Sequence, residues 1–398
     1  WLAFPVYLIT RRVGKILEND VDNTRDWRYP GTEGNPFDIA LRKMVLVENI
    51  PGIVFAVLLL IPALAGLRFG WQGVAALWGF FLLDWALLAA LPRAGRSFGP
   101  AKPVTIILAL ARAFFAILPL WLWLAVSLQI AGTLMVIYGF WIEPHRLTFT
   151  RQRMVSEKLP PDTRIRMLHL GDLHMERITK RERRLNAWIK EQKPDLIVFS
   201  GDFLNLSYLR DPKAWEDARA VVREWSAPLG VYAVTGSPAV DLPDVMPVLL
   251  KDLPLRWLDD DRVSIPIEGG QIDIYGITCT HMPQEDGPRL EALAGSGTKN
   301  FSILLYHSPD LAPEAAAAGM DMQLSGHTHG GQVRLPLFGA LFAASLYGKR
   351  FESGRYLLDQ MTLYVTRGIG LEGQGAPRVR FLCPPEIILW DLEGKPAI

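Results

Sequence analysis

Hydrophobic residues are spread unevenly along this chain of 398 residues, and the pattern changes near residue 142. Before that point three apolar runs dominate, over residues 51–67, 71–91 and 104–142. Crossing the hydrocarbon core of a bilayer takes about 20 apolar residues, so the first two runs each predict one membrane helix. The third run is long enough for two helices, with Pro119 at the turn. The pattern predicts a membrane domain of about four helices over residues 50–142.

Basic residues around these runs predict the orientation of the helices. Lys and Arg are concentrated before the first run, between the second and third, and after the last, whereas only Arg68 lies in a loop on the other side. Because cytoplasmic loops carry the excess of Lys and Arg, both ends of the membrane domain are expected in the cytoplasm. The alternative is a single kinked helix over residues 104–126, which would move the following soluble domain outside. Residues 1–49 are expected to be an interfacial segment, because their apolar start is too short to span a bilayer and basic residues follow it.

Two charged side chains, Asp84 and Arg112, fall inside the second and third apolar runs. A lone charge inside a membrane costs several kcal/mol by insertion scales, so such residues need a partner. We expect an ion pair between neighbouring helices. The alternatives are contact with another membrane subunit and a proton path.

After a charged connector at residues 143–164, short apolar runs alternate with helical patterns, which is typical of an α/β domain over residues 165–398. In the later part of the chain, strand patterns dominate. The pattern therefore indicates two mixed sheets packed together, with helices outside. Helices are predicted over residues 178–192, 212–225, 243–253 and 313–319, and strands over 165–170, 196–199, 271–277, 303–306, 322–324, 362–366 and 387–390.

Composition excludes some classes of function. The two cysteines, Cys279 and Cys383, are too few for a disulfide framework or a thiolate metal site. The formal net charge of +1 gives no general attraction to nucleic acid, so no nucleic-acid partner is expected. The first predicted partner is the lipid bilayer.

Candidate chemistry lies at the ends of four predicted strands. Each of four polar blocks follows a short apolar run, so its residues lie at the carboxyl end of a strand. Open α/β sheets build their sites in that crevice, where segments distant in sequence converge. The blocks are Gly171-Asp172-Leu173-His174, Ser200-Gly201-Asp202, Tyr306-His307 and Ser325-Gly326-His327-Thr328-His329-Gly330-Gly331-Gln332.

These residue types suit a two-metal phosphoesterase. Hydrolysis of a phosphate ester requires neutralised phosphoryl oxygens and hydroxide at neutral pH, and two metal ions about 3.5 to 4 Å apart supply both. Asp172 and His174 alternate along one extended segment, so both can face one ion. His327 and His329 have the same spacing and can serve one metal each, while Asp202 is placed to bridge. His and carboxylate ligands suit divalent Mn, Fe, Zn or similar ions.

With these motifs the sequence resembles the calcineurin-like metallophosphoesterases, and among them a bacterial membrane-anchored branch related to the UDP-diacylglucosamine hydrolases. The resemblance covers residues 165 to about 392 and includes the closing segments 363–370 and 384–387. It implies a four-layer α-β-β-α sandwich and a location at the bacterial cytoplasmic membrane. It also implies ligand roles: Asp172, His174 and His329 on the first metal, Asp202 bridging, and His307 and His327 on the second.

One motif departs from this family. Where the family has Gly-Asn-His-Asp, this chain has Gly236-Ser237-Pro238-Ala239. In the family the Asn binds the second metal and the His protonates the leaving group or stabilises charge on phosphate. A serine hydroxyl is a weak ligand and proline carries no proton, and loss of a general acid typically removes about 10²- to 10⁴-fold of rate. The second metal site is therefore in doubt.

Three residues are candidates to compensate, each with a plainer alternative. His281 follows a strand and is a candidate for the site, although a loop histidine is more often solvated. Asn205 can supply an amide oxygen or simply stabilise a turn. Asp241 can bind the second metal from a displaced loop. Arg334 and Arg367 follow motif segments and either contact phosphate or pair with acids.

Two functions remain open. The first is a membrane-anchored, metal-dependent phosphoesterase that hydrolyses a phosphate or pyrophosphate ester, with a lipid-like or nucleotide-linked substrate and with Asp202 as the catalytic residue that orients the nucleophile. The second is a catalytically degenerate protein of the same fold that acts as an accessory or scaffolding subunit of a membrane complex. The altered motif at Ser237 and Pro238 motivates the second.

Overall fold

The computed structural model describes residues 36–295, 297 and 299–396, so most of the predicted interfacial segment lies outside the described residues. The helices are α1 (Pro36–Val45), α2 (Gly52–Leu58), α3 (Leu60–Ala63), α4 (Gly70–Ala90), α5 (Ala101–Ile117), α6 (Leu122–Val136), α7 (Lys180–Gln192), α8 (Pro212–Val222), α9 (Met246–Leu250), α10 (Pro283–Ala294) and α11 (Ala312–Ala317). The strands are β1 (Thr148–Ser156), β2 (Arg164–Leu170), β3 (Leu196–Phe199), β4 (Val231–Ala233), β5 (Arg256–Trp257), β6 (Asp261–Ile267), β7 (Gly270–Gly276), β8 (Phe301–Leu305), β9 (Met322–Ser325), β10 (Arg334–Leu335), β11 (Gly339–Ala340), β12 (Gly354–Leu358), β13 (Met361–Val365) and β14 (Glu386–Gly394).

The apolar region that the structure describes, residues 36–142, folds as a set of helices. A 3₁₀ segment follows α3, the chain reverses at Gly70, which has a φ of 70°, and α4 returns alongside. A Cβ on Gly66 would lie 2.5 Å from the backbone of Gly73, so only glycine allows this close approach. Two described stretches, Gly52–Ala90 and Leu122–His145, are long and apolar enough to cross a membrane.

The third apolar run divides where the sequence predicted. Helix α5 ends at Ile117 and α6 begins at Leu122, with Pro119 in the short turn between them. The two helices are in contact, because Arg112 of α5 donates to the backbone carbonyl of Gln129 of α6 at 2.6 Å.

The predicted ion pair between Asp84 and Arg112 is present. Arg112 donates to both carboxylate oxygens of Asp84, at 2.6 and 2.8 Å, and also to the hydroxyl of Thr133 at 2.8 Å. Asp84 is fully buried and Arg112 is 5% exposed. A paired and fully hydrogen-bonded charge joins α4, α5 and α6, so breaking it by removing one partner would leave a costly buried charge.

Two six-stranded mixed sheets form the second half of the chain. The first has the order β1-β14-β2-β3-β4-β5, in which β2 to β5 are parallel and β14 is antiparallel to β2. The second has the order β12-β13-β9-β8-β7-β6, in which β13, β9, β8 and β7 are parallel and both edge strands are antiparallel.

Three clusters of buried side chains show how these layers stack. One cluster, with Trp225 and Leu185, lies between the first sheet and helices α7 and α8. A second, with Trp390 and Ile303, fills the space between the two sheets. The third, with Leu290, lies between the second sheet and helices α10 and α11. The order of layers is therefore helix, sheet, sheet, helix.

Two sequence expectations differ from the structure. The connector expected at residues 143–164 contains β1, which pairs in parallel with β14 along nine residues as an edge strand of the first sheet. Helix α10, of 12 residues, was not predicted. Its sequence contains Gly287 and Pro288, which lower helix propensity. The helix forms because Pro283 lies at its first position, where no backbone N–H is needed, and because Leu290 packs in the core.

Candidate metal centre

The strand ends bring the predicted site residues to one edge of the two sheets. Asp172 and His174 follow β2, Asp202 follows β3, His307 follows β8, and His327 and His329 follow β9. All six are buried, with His327 the most exposed at 9%. Five of the six, all except His307, have positive φ angles between 41° and 70°. Non-glycine residues rarely adopt this conformation, and its concentration at one place is typical of a functional site.

Four of these residues form the tightest group. One ligand atom from each of Asp172, His174, Asp202 and His329 lies within 4.8 Å of every other. Nε2 of His174 lies 2.9 Å from Nε2 of His329 and 3.3 Å from Oδ2 of Asp202. Across the described residues, no other group of His, Cys, Asp and Glu is gathered to that limit. We refer to this group as the first position.

The remaining two histidines lie on the other side of Asp202. Nε2 of His307 is 3.3 Å from Oδ2 of Asp202, so that one oxygen faces both His174 and His307. Nδ1 of His307 contacts the Ser200 carbonyl oxygen at 2.8 Å. The rings of His307 and His327 have centroids 5.2 Å apart. Asp202, His307 and His327 therefore outline a second position that shares the Asp202 carboxylate with the first.

The altered loop keeps its backbone contact with this carboxylate. The backbone N–H of Ser237 donates to Oδ1 of Asp202 at 2.8 Å. A Cβ at position 236 would lie 2.0 Å from the same oxygen, so Gly236 allows the loop to approach. Asp241 accepts hydrogen bonds from the backbone N–H groups of Asp202, Phe203 and Gly236, at 2.7 to 2.9 Å. Asp241 therefore fixes the loop, and its carboxylate is not directed to the second position.

The charges of the group are strongly coupled. Burial raises the pKa of Asp172 to about 6, and neighbouring Asp202 adds to the rise. Burial alone would lower the pKa of His307, but Asp202 and Asp172 raise it to about 9. Burial opposes ionisation of Asp202, yet His307 and His174 hold its pKa below the usual range. The two carboxylates thus favour the protonated form of His307.

The unsatisfied atoms fit a divalent cation. Oδ2 of Asp172 and Nε2 of His307 are buried and have no hydrogen-bond partner within the protein. Buried polar atoms are normally satisfied, so these two atoms fit a bound cation, with Asp172 at the first position and His307 at the second. The His307 ring has its Nδ1 beside a carbonyl and its Nε2 open, which is the arrangement that orients a metal-binding histidine. This donor set fits Mn, Fe or Zn.

The structure decides between the alternatives for the other candidates. Asn205 donates to the Leu371 carbonyl and accepts from the Ser207 N–H, both at 2.9 Å, so it stabilises a turn. Arg334 pairs with Glu352 at 2.7 Å, and Arg367 pairs with Glu386. Both arginines therefore neutralise acids at the rim.

His281 is brought into the site. It is 1% exposed rather than solvated, and its Nε2 lies 3.0 Å from Oγ of Ser237. Arg380 also belongs to the site, although the sequence did not predict it. Its side chain is fully buried, its guanidinium lies 3.2 Å from Nδ1 of His329, and it donates to the His329 carbonyl oxygen at 3.1 Å. No local motif marks Arg380, because its contact with the site arises only when the segment after β13 folds back.

Comparison with known proteins agrees with this geometry. The family model described as calcineurin-like phosphoesterase matches residues 165–331. The uncharacterized metallophosphoesterase YkuE of Bacillus subtilis is 29% identical over 270 residues, which are 65% of this chain and 89% of the relative. Phosphodiesterase YaeI of Escherichia coli is 27% identical over 252 residues, 62% of this chain and 86% of that protein.

A third relative carries a more specific name. UDP-2,3-diacylglucosamine pyrophosphatase LpxG of Chlamydia trachomatis is 24% identical over 308 residues, 62% of this chain and 90% of the relative. The matched region in this chain contains all six residues of the two positions. Residues 165–331 therefore match the calcineurin-like phosphoesterase family, and the relatives that cover this region carry phosphoesterase or pyrophosphatase names.

Proposed function

We propose that this protein is a membrane-anchored, metal-dependent phosphoesterase that hydrolyses a phosphate or pyrophosphate ester at the bilayer surface. The observation that carries the proposal is the first position, where four buried carboxylate and imidazole groups direct their ligand atoms to one point. Two divalent ions bound at this centre would neutralise the phosphoryl oxygens and lower the pKa of water, as metal-dependent hydrolysis requires.

The chain's own residues have distinct tasks in this proposal. Asp172, His174 and His329 would hold the first ion, and His307 and His327 the second. Asp202 would bridge the two and orient the attacking nucleophile, because its Oδ2 faces both halves while its Oδ1 is fixed by the Ser237 N–H.

The membrane location is supported by contacts between the apolar helices and the site. The backbone N–H of Arg380 donates to the carbonyl of Gly139, in the last apolar stretch, and its guanidinium contacts His329. Glu143, near the end of that stretch, accepts hydrogen bonds from the N–H groups of Leu382 and Cys383 at 2.8 and 2.7 Å. Arg380 thus contacts both the candidate ligand His329 and the helical domain. A substrate anchored in the bilayer would therefore lie close to the metal centre.

An exposed apolar hairpin supports a lipid-like substrate. Strands β10 and β11 follow the metal motif and are joined by a turn in which Leu337 is fully exposed. Leu335, Phe338 and Leu341 are 42 to 49% exposed. The hairpin is tied to the helical domain, because the Arg334 N–H donates to the carbonyl of Phe381, whose ring packs on Tyr138. Contiguous exposed apolar side chains of this kind mark a membrane or ligand surface. The name of the Chlamydia relative points the same way, to a pyrophosphate that carries acyl chains.

A cytoplasmic position of the phosphoesterase domain is part of the proposal. The loop between α4 and α5 and the segment after α6 both contact this domain: the Phe98 N–H donates to Glu176 at 3.1 Å, and Glu143 binds residues 382 and 383. Both connections carry Arg residues, as cytoplasmic loops do. Because both native cysteines are buried, single cysteines placed at Arg68 and at Glu268 should label from opposite sides of the membrane.

The activity itself is tested with the detergent-purified chain loaded with Mn²⁺. We expect release of product from at least one of a phosphomonoester, a phosphodiester and a pyrophosphate ester with an acyl chain. Asp202→Ala should abolish this hydrolysis, whereas Asp252→Ala, at an exposed carboxylate outside the centre, should not. Equal turnover by Asp202→Ala and the parent protein would refute the proposed mechanism.

A further inference from the structure

Ser237 leaves space beside the second position. In this family an Asn at this place extends a carboxamide toward the second metal, whereas the serine hydroxyl ends one atom closer to the backbone. The backbone has not moved away, because the Ser237 N–H still donates to Oδ1 of the bridging Asp202. The second position therefore lacks the ligand atom of the asparagine, although the loop backbone that would carry it is in place.

The ring of His281 occupies this space. His281 comes from a different element, the segment that follows β7, and is 1% exposed. Its ring centroid lies 4.4 Å from that of His327 and 6.1 Å from that of His307. Its backbone has a φ of 64°, close to the 63° of Asp202 and the 70° of His327. His281 thus shares both the location and the uncommon backbone conformation of the predicted ligands.

The spacing of polar atoms is that of ligands around one ion. At a metal–nitrogen distance of about 2.1 Å, neighbouring ligands are about 3.0 Å apart in octahedral and about 3.4 Å apart in tetrahedral geometry. Oγ of Ser237 lies 3.0 Å from Nε2 of His281 and 3.5 Å from Nδ1 of His327. At the first position the corresponding separations are 2.9 and 3.3 Å. The two histidine nitrogens therefore lie around the Ser237 hydroxyl at separations close to those between the predicted ligands of the first position.

A supporting network fixes His281. The carboxylate of Asp286, fully buried, accepts hydrogen bonds from the N–H and the hydroxyl of Thr280, at 3.0 and 2.7 Å. Arg289 in turn pairs with Asp286 and donates to the carbonyl of Thr278 at 2.9 Å. The residues that precede His281 are thus held by α10, the helix that the sequence did not predict. Metal ligands are characteristically oriented by such outer hydrogen bonds.

A purely structural histidine is the competing explanation. A buried loop histidine bonded to a serine is ordinary, but here the His281 ring also lies 4.4 Å from the ring of His327, and the neighbouring His307 faces the Asp202 carboxylate at 3.3 Å. Burying three imidazoles beside a carboxylate is costly unless their polar atoms are satisfied, and Nε2 of His307 has no hydrogen-bond partner within the protein. A structural role explains the hydrogen bond to Ser237 but not the clustering of His281 with His307 and His327.

We propose that His281 is a ligand of the second metal ion, with the Ser237 hydroxyl beside it, in place of the asparagine that this chain lacks. The inference rests on the proposed binuclear centre. It gives the second position the protein ligands Asp202, His307, His327 and His281, so that both positions hold one bridging carboxylate and at least two histidines.

The test counts metal ions on the full chain in detergent. Protein stripped with a chelator is titrated with Mn²⁺, the bound equivalents are measured by mass spectrometry, and electron paramagnetic resonance reports whether two ions are spin-coupled. We expect two equivalents with a coupled signal for the parent chain. His281→Phe keeps the ring volume but removes the nitrogens, and should raise the second dissociation constant at least about 10-fold and abolish the coupled signal. His145→Gln, at a histidine outside the centre, should keep both equivalents.

A rescue variant separates loss of a ligand from damage to the fold. His281→Ala should bind one equivalent, and adding Ser237→Asn should restore the second, because the carboxamide then reaches the same ion. Two equivalents with unchanged affinity in both His281→Phe and His281→Ala would overturn the proposal, as would failure of Ser237→Asn to restore binding. A parent chain that binds one ion would refute the second position alone, and one that binds none would refute the proposed function.

Discussion

The first and second positions of the candidate metal centre follow the family's ligand pattern to different extents. The first position draws all its ligands from the expected motifs, and Asp172, His174, Asp202 and His329 lie in the tightest group. The second position has Ser237 in the place of an asparagine and gains a histidine from an unrelated segment. A metal site requires ligand atoms at given positions, and residues from different segments can supply the atom at one such position.

The halves also differ in their surroundings. The first position is backed by Arg380 and, through it, by the helical domain. The second is backed by helix α10 through Asp286 and Arg289. Changes on the membrane side should therefore affect the first position, and changes in α10 the second.

The largest expected effect comes from restoring the family loop. Ser237→Asn with Pro238→His should raise the rate of phosphoester hydrolysis by about 10²- to 10⁴-fold, because it returns a general acid to the leaving group. Steady-state kinetics of the Mn²⁺-loaded protein measures this gain, and Pro238→Ala serves as the control without a proton donor. An accessory subunit without any catalytic role would show no gain, and this outcome would favour the second function.

Removal of the arginine behind the first position should have the next largest effect. Arg380→Gln loses the contact with His329 and should weaken Mn²⁺ binding at the first position by about 10- to 100-fold, the range for groups that orient ligands. Calorimetric titration would measure both dissociation constants. Arg334→Gln, at an arginine paired with Glu352 on the rim, should leave both constants unchanged. Equal weakening of both positions would show that Arg380 supports the fold rather than one half of the site.

The pH dependence of metal binding should also differ between the halves. A metal ion competes with the proton on its ligand, so affinity rises with pH until the ligand pKa is passed. At the first position, the Asp172 pKa of about 6 means that affinity changes little above neutral pH. At the second position, the His307 pKa of about 9 means that affinity rises about 10-fold between pH 7 and pH 8. Titrations in buffers of different ionisation enthalpy would count the released protons, and identical profiles for the two ions would contradict this assignment.

The smallest expected effect concerns the apolar hairpin. Leu337→Asp should lower the rate on a substrate carried in lipid vesicles by about 3- to 10-fold, because contact of one leucine with the membrane surface contributes only part of the about 1.5 to 3 kcal/mol of full burial. Hydrolysis of a soluble phosphoester should be unchanged. Leu357→Asp, at a leucine that is 73% exposed on β12, provides the matched control. A fall in both assays would indicate a role in the site rather than at the membrane.

Much of this architecture was predictable from local sequence. The apolar run at residues 196–199 matches β3, and Thr179 begins α7 with a capping box to Glu182, so periodicity and capping locate these elements. The site motifs were predictable because each follows a strand. The roles of Asp241 and Asn205 were less predictable from the sequence. An Asp or Asn that hydrogen-bonds to the backbone cannot be distinguished by sequence from one that binds a metal.

The sequence by itself determined which residues are available for catalysis, because the strand-end motifs and the absence of the family Asn and His can be read from neighbouring letters. It also determined the apolar runs and the buried charges that must pair. Only the tertiary structure decided that His281 and Arg380 lie beside the ligands and that residues 148–156 form a strand rather than a connector. The physical reason is that these contacts join segments far apart in the chain. Packing against another element fixes the position of each side chain, and the local sequence pattern does not encode that packing.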